Sequence, residues 1–212
     1  MHIVEELIAE RAEKLMAKPR LWRAIKPALY KALGYQKAVT IADKAANLSG
    51  FDAFAMVSAD MQVKPQVRGA KNIPADGAIM IISNHPTGLA DGIFVFDALK
   101  SARPDHIFMA NADALRVIPK GEDIIIPVEW VKEKRSPAKT RNTLRAMKAA
   151  FEAEKAVVIF PSGVLAKLSW RGLTDKDWNT TAVSMARKYG IPIVPLRIQA
   201  RRVFSSGSVP SR

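Results

Sequence analysis

Ala78-Ile79-Met80-Ile81-Ile82, followed by Ser83-Asn84-His85-Pro86-Thr87-Gly88-Leu89-Ala90-Asp91, is the stretch whose reading decides the fold. Its first five residues are apolar, partly β-branched and bounded by Gly77 and Ser83, which predicts a buried strand. Beyond it, Gly92 to Lys100 places Ile93, Phe94, Phe96 and Leu99 at helical spacing. A strand, a polar loop and a helix in that order set His85 at a sheet edge, where α/β proteins bind ligands. Pro86 biases His85 toward an extended backbone. Asp91 is the nearest carboxylate. A histidine with a carboxylate behind it can take a proton from a hydroxyl, because the carboxylate fixes the tautomer and supports the imidazolium that forms. The same residues fit a plainer arrangement, in which Asp91 caps the following helix and His85 bonds nearby backbone. Local spacing does not choose between the two.

Downstream, the apolar runs Asp105 to Ala110, Asp123 to Val128 and Ala156 to Phe160 read as strands, as does a last one from Ile191 to about Gln199. Helical spacing covers Pro137 to Glu154 and Trp178 to Tyr189, the latter stopped by Gly190. Upstream, Gln66 to Gly69 reads as a first short strand before the turn Pro74-Ala75-Asp76-Gly77. The alternation predicts an α/β domain over residues 65–200, a mixed sheet flanked by helices. His106, at the start of its run, reads as a strand-end histidine.

Residues 1–64 read as an N-terminal amphipathic helical extension. Ile3, Leu7, Leu15, Trp22, Ile25, Leu29 and Leu33 repeat at helical steps, interrupted at Pro19, with further helices at Tyr35 to Leu48 and Phe51 to Met61. Its other face turns basic at Lys14, Lys18, Arg20, Arg23, Lys26 and Lys31. Trp22 and Tyr30 among these charges suit a lipid headgroup layer, and a solvated face on a packed helix is the equal alternative. Residues 201–212 read as a disordered tail.

A chain of 212 residues with 49% hydrophobic content can bury a real core. It has no cysteine and three histidines, too few for a thiolate site or a histidine-based metal cluster, so no metal is expected. The formal net charge of +13 favours anionic partners. Lys132, Lys134, Arg135, Lys139, Arg141, Arg145 and Lys148 form the densest positive stretch, a landing site for phosphate or phospholipid or simply a solvated face. Trp130 is the one aromatic there, which argues against nucleic acid as the partner. No apolar run is long enough to span a bilayer, and Glu5, Glu6 and Glu10 break any leader-like order, so a peripheral protein on the cytoplasmic face of the membrane is the expectation.

Taken together, four blocks between Val67 and Leu196 resemble the lysophospholipid and glycerolphosphate acyltransferase family. They are Asn84-His85 to Asp91, the strand Asp123 to Val128 after Gly121, Val158-Ile159-Phe160-Pro161-Ser162-Gly163, and Ile191-Pro192-Ile193-Val194-Pro195. The resemblance implies transfer of a fatty acyl group from acyl-CoA or acyl carrier protein to the free hydroxyl of a lysolipid, with lysophosphatidate as the family's type of acceptor. It implies no cofactor, His85 as the base and Asp91 as its orienter. It also implies an acceptor site at Asn84, Thr87, Gly88, Ser162 and Gly163, with backbone N–H groups near Gly163 or the helix after Asp91 as candidate oxyanion donors.

The chain departs from the family in three places. Five residues separate His85 from Asp91 where four are usual, leaving Gly88 to let the loop bulge. Val128-Glu129 stands where an arginine usually follows the second block, leaving Lys132, Lys134 and Arg135 as the nearest cations. The third block lacks the usual glutamate and Thr-Arg pair, leaving Lys167 and Arg171. Since lysine cannot copy arginine's bidentate fork, the expectation is a headgroup held differently or one that is not a simple glycerol phosphate, the acceptor being a lysophosphatidate or an aminolipid such as lyso-ornithine lipid. The alternative to an enzyme is an inactive relative that binds anionic membranes or lipids.

Overall fold

The computed structural model describes residues 1–62, 64–129, 132–164, 166–169 and 172–199. The residues of the expected tail lie outside these, as does Arg171. The apolar run Ala78 to Ile82 forms, with Ser83, β1 (Ile79–Ser83), an interior strand of a five-stranded sheet. The other strands are β2 (Ile107–Asn111), β3 (Ile125–Val128), β4 (Ala156–Ile159) and β7 (Ile193–Leu196), ordered β3-β2-β4-β1-β7. Every pairing in it is parallel; β1 registers Ile79 on Ala156 of one neighbour and Met80 on Ile193 of the other. The antiparallel element is a separate hairpin, β5 (Lys167–Ser169) with β6 (Gly172–Thr174).

A parallel sheet is covered on both faces, and the β1 alternation shows how. Ile79 and Ile81 point to one layer with Val95, Phe96 and Leu99 of α6 (Leu89–Leu99). Met80 points to the other, with Met147 and Phe151 of α8 (Pro137–Glu152) and Ala182 and Ala186 of α9 (Thr181–Tyr189). The first layer also takes α5 (Gly50–Met61), whose Phe51 and Phe54 meet Phe96 and Phe108 at ring distances of 5.0 and 5.3 Å. This helix is thus part of the sheet's own core. Ser49 caps it through the Asp52 N–H, and the Asp123 carboxylate accepts from the N–H groups of Gly50 and Phe51.

Gln66 to Gly69 forms no strand, contrary to the sequence reading. The place beside β1 belongs to β7, Val67 stays 45% exposed, and Gly69 at φ 76° turns the chain into a short 3-10 helix, Ala70–Asn72. With no apolar face to bury, the segment has no reason to pair.

Upstream helices are α1 (Ile3–Arg11), α2 (Glu13–Met16), α3 (Pro19–Ala32) and α4 (Tyr35–Ala45), with Pro19 opening α3 as expected. Trp22 and Tyr30 are partly buried, and Lys26 lies over the Tyr30 ring at 5.0 Å. Trp22 meets Tyr30 edge-on at 6.0 Å, and Tyr30 stacks on Tyr35 at 4.1 Å, so their apolar ring surface joins α3 to α4. Among the described residues no helix is long and apolar enough to cross a membrane.

At the sheet's N-terminal edge, the guanidinium of Arg103 is fully buried. It donates to the carbonyls of Pro74, Gly77 and Glu154 and pairs with Asp105 at 2.6 Å. Beside it His106 is buried among Phe51, Phe96 and Phe108, with Nδ1–H donating to the Arg103 carbonyl at 2.6 Å. That fits the strand-end reading rather than catalysis.

Candidate active site

The polar loop leaves β1 at the sheet's C-terminal edge and returns as α6 with Gly88 as N-cap. Asp91, the third residue of that helix, is completely buried. Its carboxylate accepts from Nδ1 of His85 at 2.9 Å, from the Thr87 hydroxyl at 2.5 Å, and from the N–H groups of Thr87 and Gly88, both at 2.9 Å. Burial pushes this carboxyl up, but the hydrogen bonds from His85, Thr87 and Gly88 outweigh it and hold Asp91 below the ordinary aspartate value. The helix N-terminus favours the same anion. Asp91 thus supports the N-terminal turn from its third position, with Gly88 as N-cap, and also holds the His85 ring.

The extra residue between the two is absorbed at Gly88. Its φ of 89° and ψ of −130° lie where a side chain is not tolerated, so the loop folds back far enough for contact. Thr87 and Gly88, expected to bind substrate, give their polar groups to Asp91 instead. Asn84 likewise grips the backbone of Ile198, its Oδ1 accepting at 2.7 Å and its Nδ2 donating at 2.9 Å. These three residues build the loop from within.

Among the described residues, His85 is held at every polar point except one ring nitrogen. Its N–H donates to both Asp175 carboxylate oxygens at 3.2 and 3.3 Å, and its carbonyl accepts from Ala166 N–H at 2.9 Å. Its ring stacks on Phe160 at 4.4 Å and remains 19% exposed. With Nδ1–H on Asp91, Nε2 is left as the acceptor nitrogen. Asp175 was not singled out in the sequence, and its signal is faint: it lies 90 residues from His85, past the third block.

The third block ends β4 and turns sharply. Ser162 is buried, with Oγ donating to the Val164 carbonyl at 2.8 Å, and Gly163 N–H donates to the Phe160 carbonyl at 3.0 Å. This N–H is therefore committed to the turn and is not an open oxyanion donor. Lys167 is exposed on β5. The cations after β3 are drawn elsewhere. Lys134 pairs with Glu10 of α1 at 2.9 Å, Arg135 donates to the Glu129 carbonyl at 3.1 Å, and Lys132 opens the 3-10 turn Lys132–Lys134. Glu10 also pairs with Arg116, so carboxylates of α1 meet the positive charge at this corner.

Two cavities flank the sheet. A groove of about 640 Å³ follows edge strand β3 and α8 and includes no residue of the His85 loop. The other, about 270 Å³, lies between α8 and α9 and is lined by Met80, Met109, Met147, Met185, Ile159 and Pro161, among others. Pro161 directly follows the ring stacked on His85. Methionine side chains let such a cleft adapt to a flexible apolar occupant.

A model of the family described as Acyltransferase matches residues 64–199, which contain the whole five-stranded sheet and the His85–Asp91 pair. The chain belongs to this family. It is similar to the lyso-glycine lipid O-acyltransferase of Phocaeicola vulgatus, 22% identical over 73% of this chain and 54% of that protein. It is also similar to the lyso-glycine lipid O-acyltransferase of Bacteroides thetaiotaomicron, 20% identical over 66% of this chain and 50% of that one. The chain thus spans about half the length of these curated relatives. No solved structure matches it.

Proposed function

We propose that this protein transfers a fatty acyl group from a thioester carrier to the free hydroxyl of a lysolipid bearing an amino-acid headgroup. The carrying observation is the His85 imidazole, fixed through Nδ1 on a buried, anionic Asp91 with Nε2 left to accept a proton. As the acceptor hydroxyl attacks the thioester carbonyl, Nε2 takes its proton and Asp91 supports the imidazolium. The tetrahedral intermediate collapses, the C–S bond breaks, and the imidazolium returns the proton to the leaving thiolate. A thioester is already activated, so the step requires no enzyme nucleophile.

The arrangement of positive charge supports this headgroup. A phosphomonoester calls for several converging cations, yet Lys134 and Arg135 are bonded to Glu10 and to the Glu129 carbonyl. A lyso-aminolipid asks for less, and the two relatives are named for such an acceptor. The methionine-lined cleft suits the acyl chain, reaching the imidazole past Pro161 and Phe160. Acceptor and product are lipids, and the net charge of +13 draws the protein to anionic bilayers.

The test mixes the protein or its His85→Ala variant with palmitoyl-CoA or palmitoyl-loaded acyl carrier protein. Lyso-glycine lipid, lyso-ornithine lipid and lysophosphatidate are the acceptors, and free thiol and acylated product are followed. Product from the wild type alone, greatest with an aminolipid, supports the proposal. Acylation of lysophosphatidate alone overturns the headgroup. Equal, negligible turnover from both proteins with every pair returns the chain to a lipid-binding relative.

A further inference from the structure

Three large apolar side chains stand exposed on the segments that hold His85. Leu89, 87% exposed, is the first residue of α6, directly after Gly88 and two before Asp91. Val164, 45% exposed, receives the Ser162 hydroxyl on its carbonyl, two residues before the N–H that binds the His85 carbonyl. Trp178, 42% exposed, donates its indole N–H at 2.9 Å to Asp175, the carboxylate that holds the His85 N–H. Single exposed apolar residues are ordinary, whereas three on the segments that bond His85 or its carboxylate partners are a concentration.

We propose that Leu89, Val164 and Trp178 form an apolar rim around the His85 site that enters the hydrocarbon boundary of a lipid surface. The acceptor's hydroxyl is then presented to Nε2 without its chain crossing water. This rests on the acyl-transfer reading for its purpose, but not for its physics. The indole supports a lipid occupant over a protein one. Its polar atom is already bonded within the chain, so the exposed ring enters an apolar medium without stranding a donor. Exposed Lys167 and Lys176, on the same excursion between β4 and α9, are placed to meet anionic headgroups just outside that boundary. The link from Trp178 through Asp175 to the His85 N–H also joins the rim to the base, so lipid contact steadies the residue that does the chemistry.

The test uses intrinsic fluorescence and vesicle partitioning. Vesicles of phosphatidylcholine with a minor share of phosphatidylglycerol carry bromine at shallow or deep acyl positions, and wild type is compared with Trp178→Phe. The expected result is quenching, strongest from shallow bromine, of the emission that Trp178→Phe removes. Partitioning of the double variant Leu89→Ser and Val164→Ser into pure phosphatidylcholine at high salt is expected to fall by about tenfold or more, since each loses an apolar side chain's transfer. Circular dichroism on the same samples confirms that the variants fold.

Vesicle binding that salt abolishes, with no quenching attributable to Trp178, would show a purely electrostatic contact and overturn the rim. So would partitioning unchanged in the double variant. Quenching at Trp178 without acyl transfer to any lysolipid would uphold the rim and overturn the enzymatic reading. Transfer to micellar lysolipid with Trp178 unquenched would do the reverse.

Discussion

Nδ1 of His85 lies 2.9 Å from Oδ2 of Asp91, although one residue more than the family's usual number separates them in the chain. The contact is fixed from the side of Asp91, which has no exposed surface and four donors on its two oxygens. Asp91→Asn puts an amide where those donors converge and removes the charge that supports the imidazolium. The turnover number should fall by about 10² to 10⁴-fold, as losing an oriented general base does. His85→Ala should fall at least as far. Thiol release under saturating acyl donor measures both, and a change confined to KM would point to substrate binding instead.

Gly88 makes that contact possible. At φ 89° and ψ −130° an alanine is strained by about 1–3 kcal/mol. Relief of that strain moves the N–H that Asp91 accepts. Gly88→Ala should lower stability by that amount in urea unfolding and, in the fraction that folds, lower the turnover number more than it raises KM. Unchanged activity at reduced stability would mean that the loop has a second way to close.

The two sides of this site were unequally visible in the sequence. The strand, the loop and the identities of His85 and Asp91 are local, because an apolar run ending in a polar loop before a helical period needs no distant partner to be read. All five strands of the sheet were legible as nearly continuous apolar runs, the pattern of a parallel sheet covered on both faces, and β7, a less buried edge strand, is shorter than the run that announced it. The segment at Gln66 had only Val67 as an apolar residue, and the place beside β1 went to β7. Likewise, the roles of Thr87, Asn84 and Lys134 were set by partners at Asp91, Ile198 and Glu10, two of them more than a hundred residues away. Residue type shows what a side chain can bond, and tertiary structure decides which bond it makes.

Asp175 is the residue that only tertiary structure brings to the site. Asp175→Ala leaves the His85 N–H without its acceptor, a loss of about 1–3 kcal/mol if no water replaces it. Asp175→Asn keeps an oxygen for that N–H. The alanine variant should lower the turnover number with little change in KM, and the asparagine variant should recover most of it. Equal losses in both would assign the effect to charge rather than to backbone positioning. A drop in thermal stability with normal turnover in the folded fraction would assign Asp175 to structure alone.

His106 predicts how stability responds to acid. Its Nδ1–H donates to the Arg103 carbonyl, while Nε2, among the described residues, is buried without a hydrogen-bond partner. Burial pushes its pKa below the ordinary histidine value, with the Arg103 carbonyl and the Asp105 charge opposing. The folded state therefore holds the neutral ring, and the unfolded chain binds the proton first. Above about pH 6.5, the unfolded value, this residue adds no pH dependence. Below it, the unfolded state takes up a proton that the folded state refuses, so stability falls by up to about 1.4 kcal/mol per pH unit until the folded ring also protonates. Asp91 and Asp105 behave differently: their lowered values make stability that is kept above the ordinary aspartate range and lost only at more acid pH. Urea unfolding of wild type and His106→Gln between about pH 3.5 and 7.5 separates these contributions. The glutamine variant should lose the slope just below 6.5 and keep the steeper fall near 4, and a variant whose curve parallels the wild type throughout would place the proton uptake elsewhere.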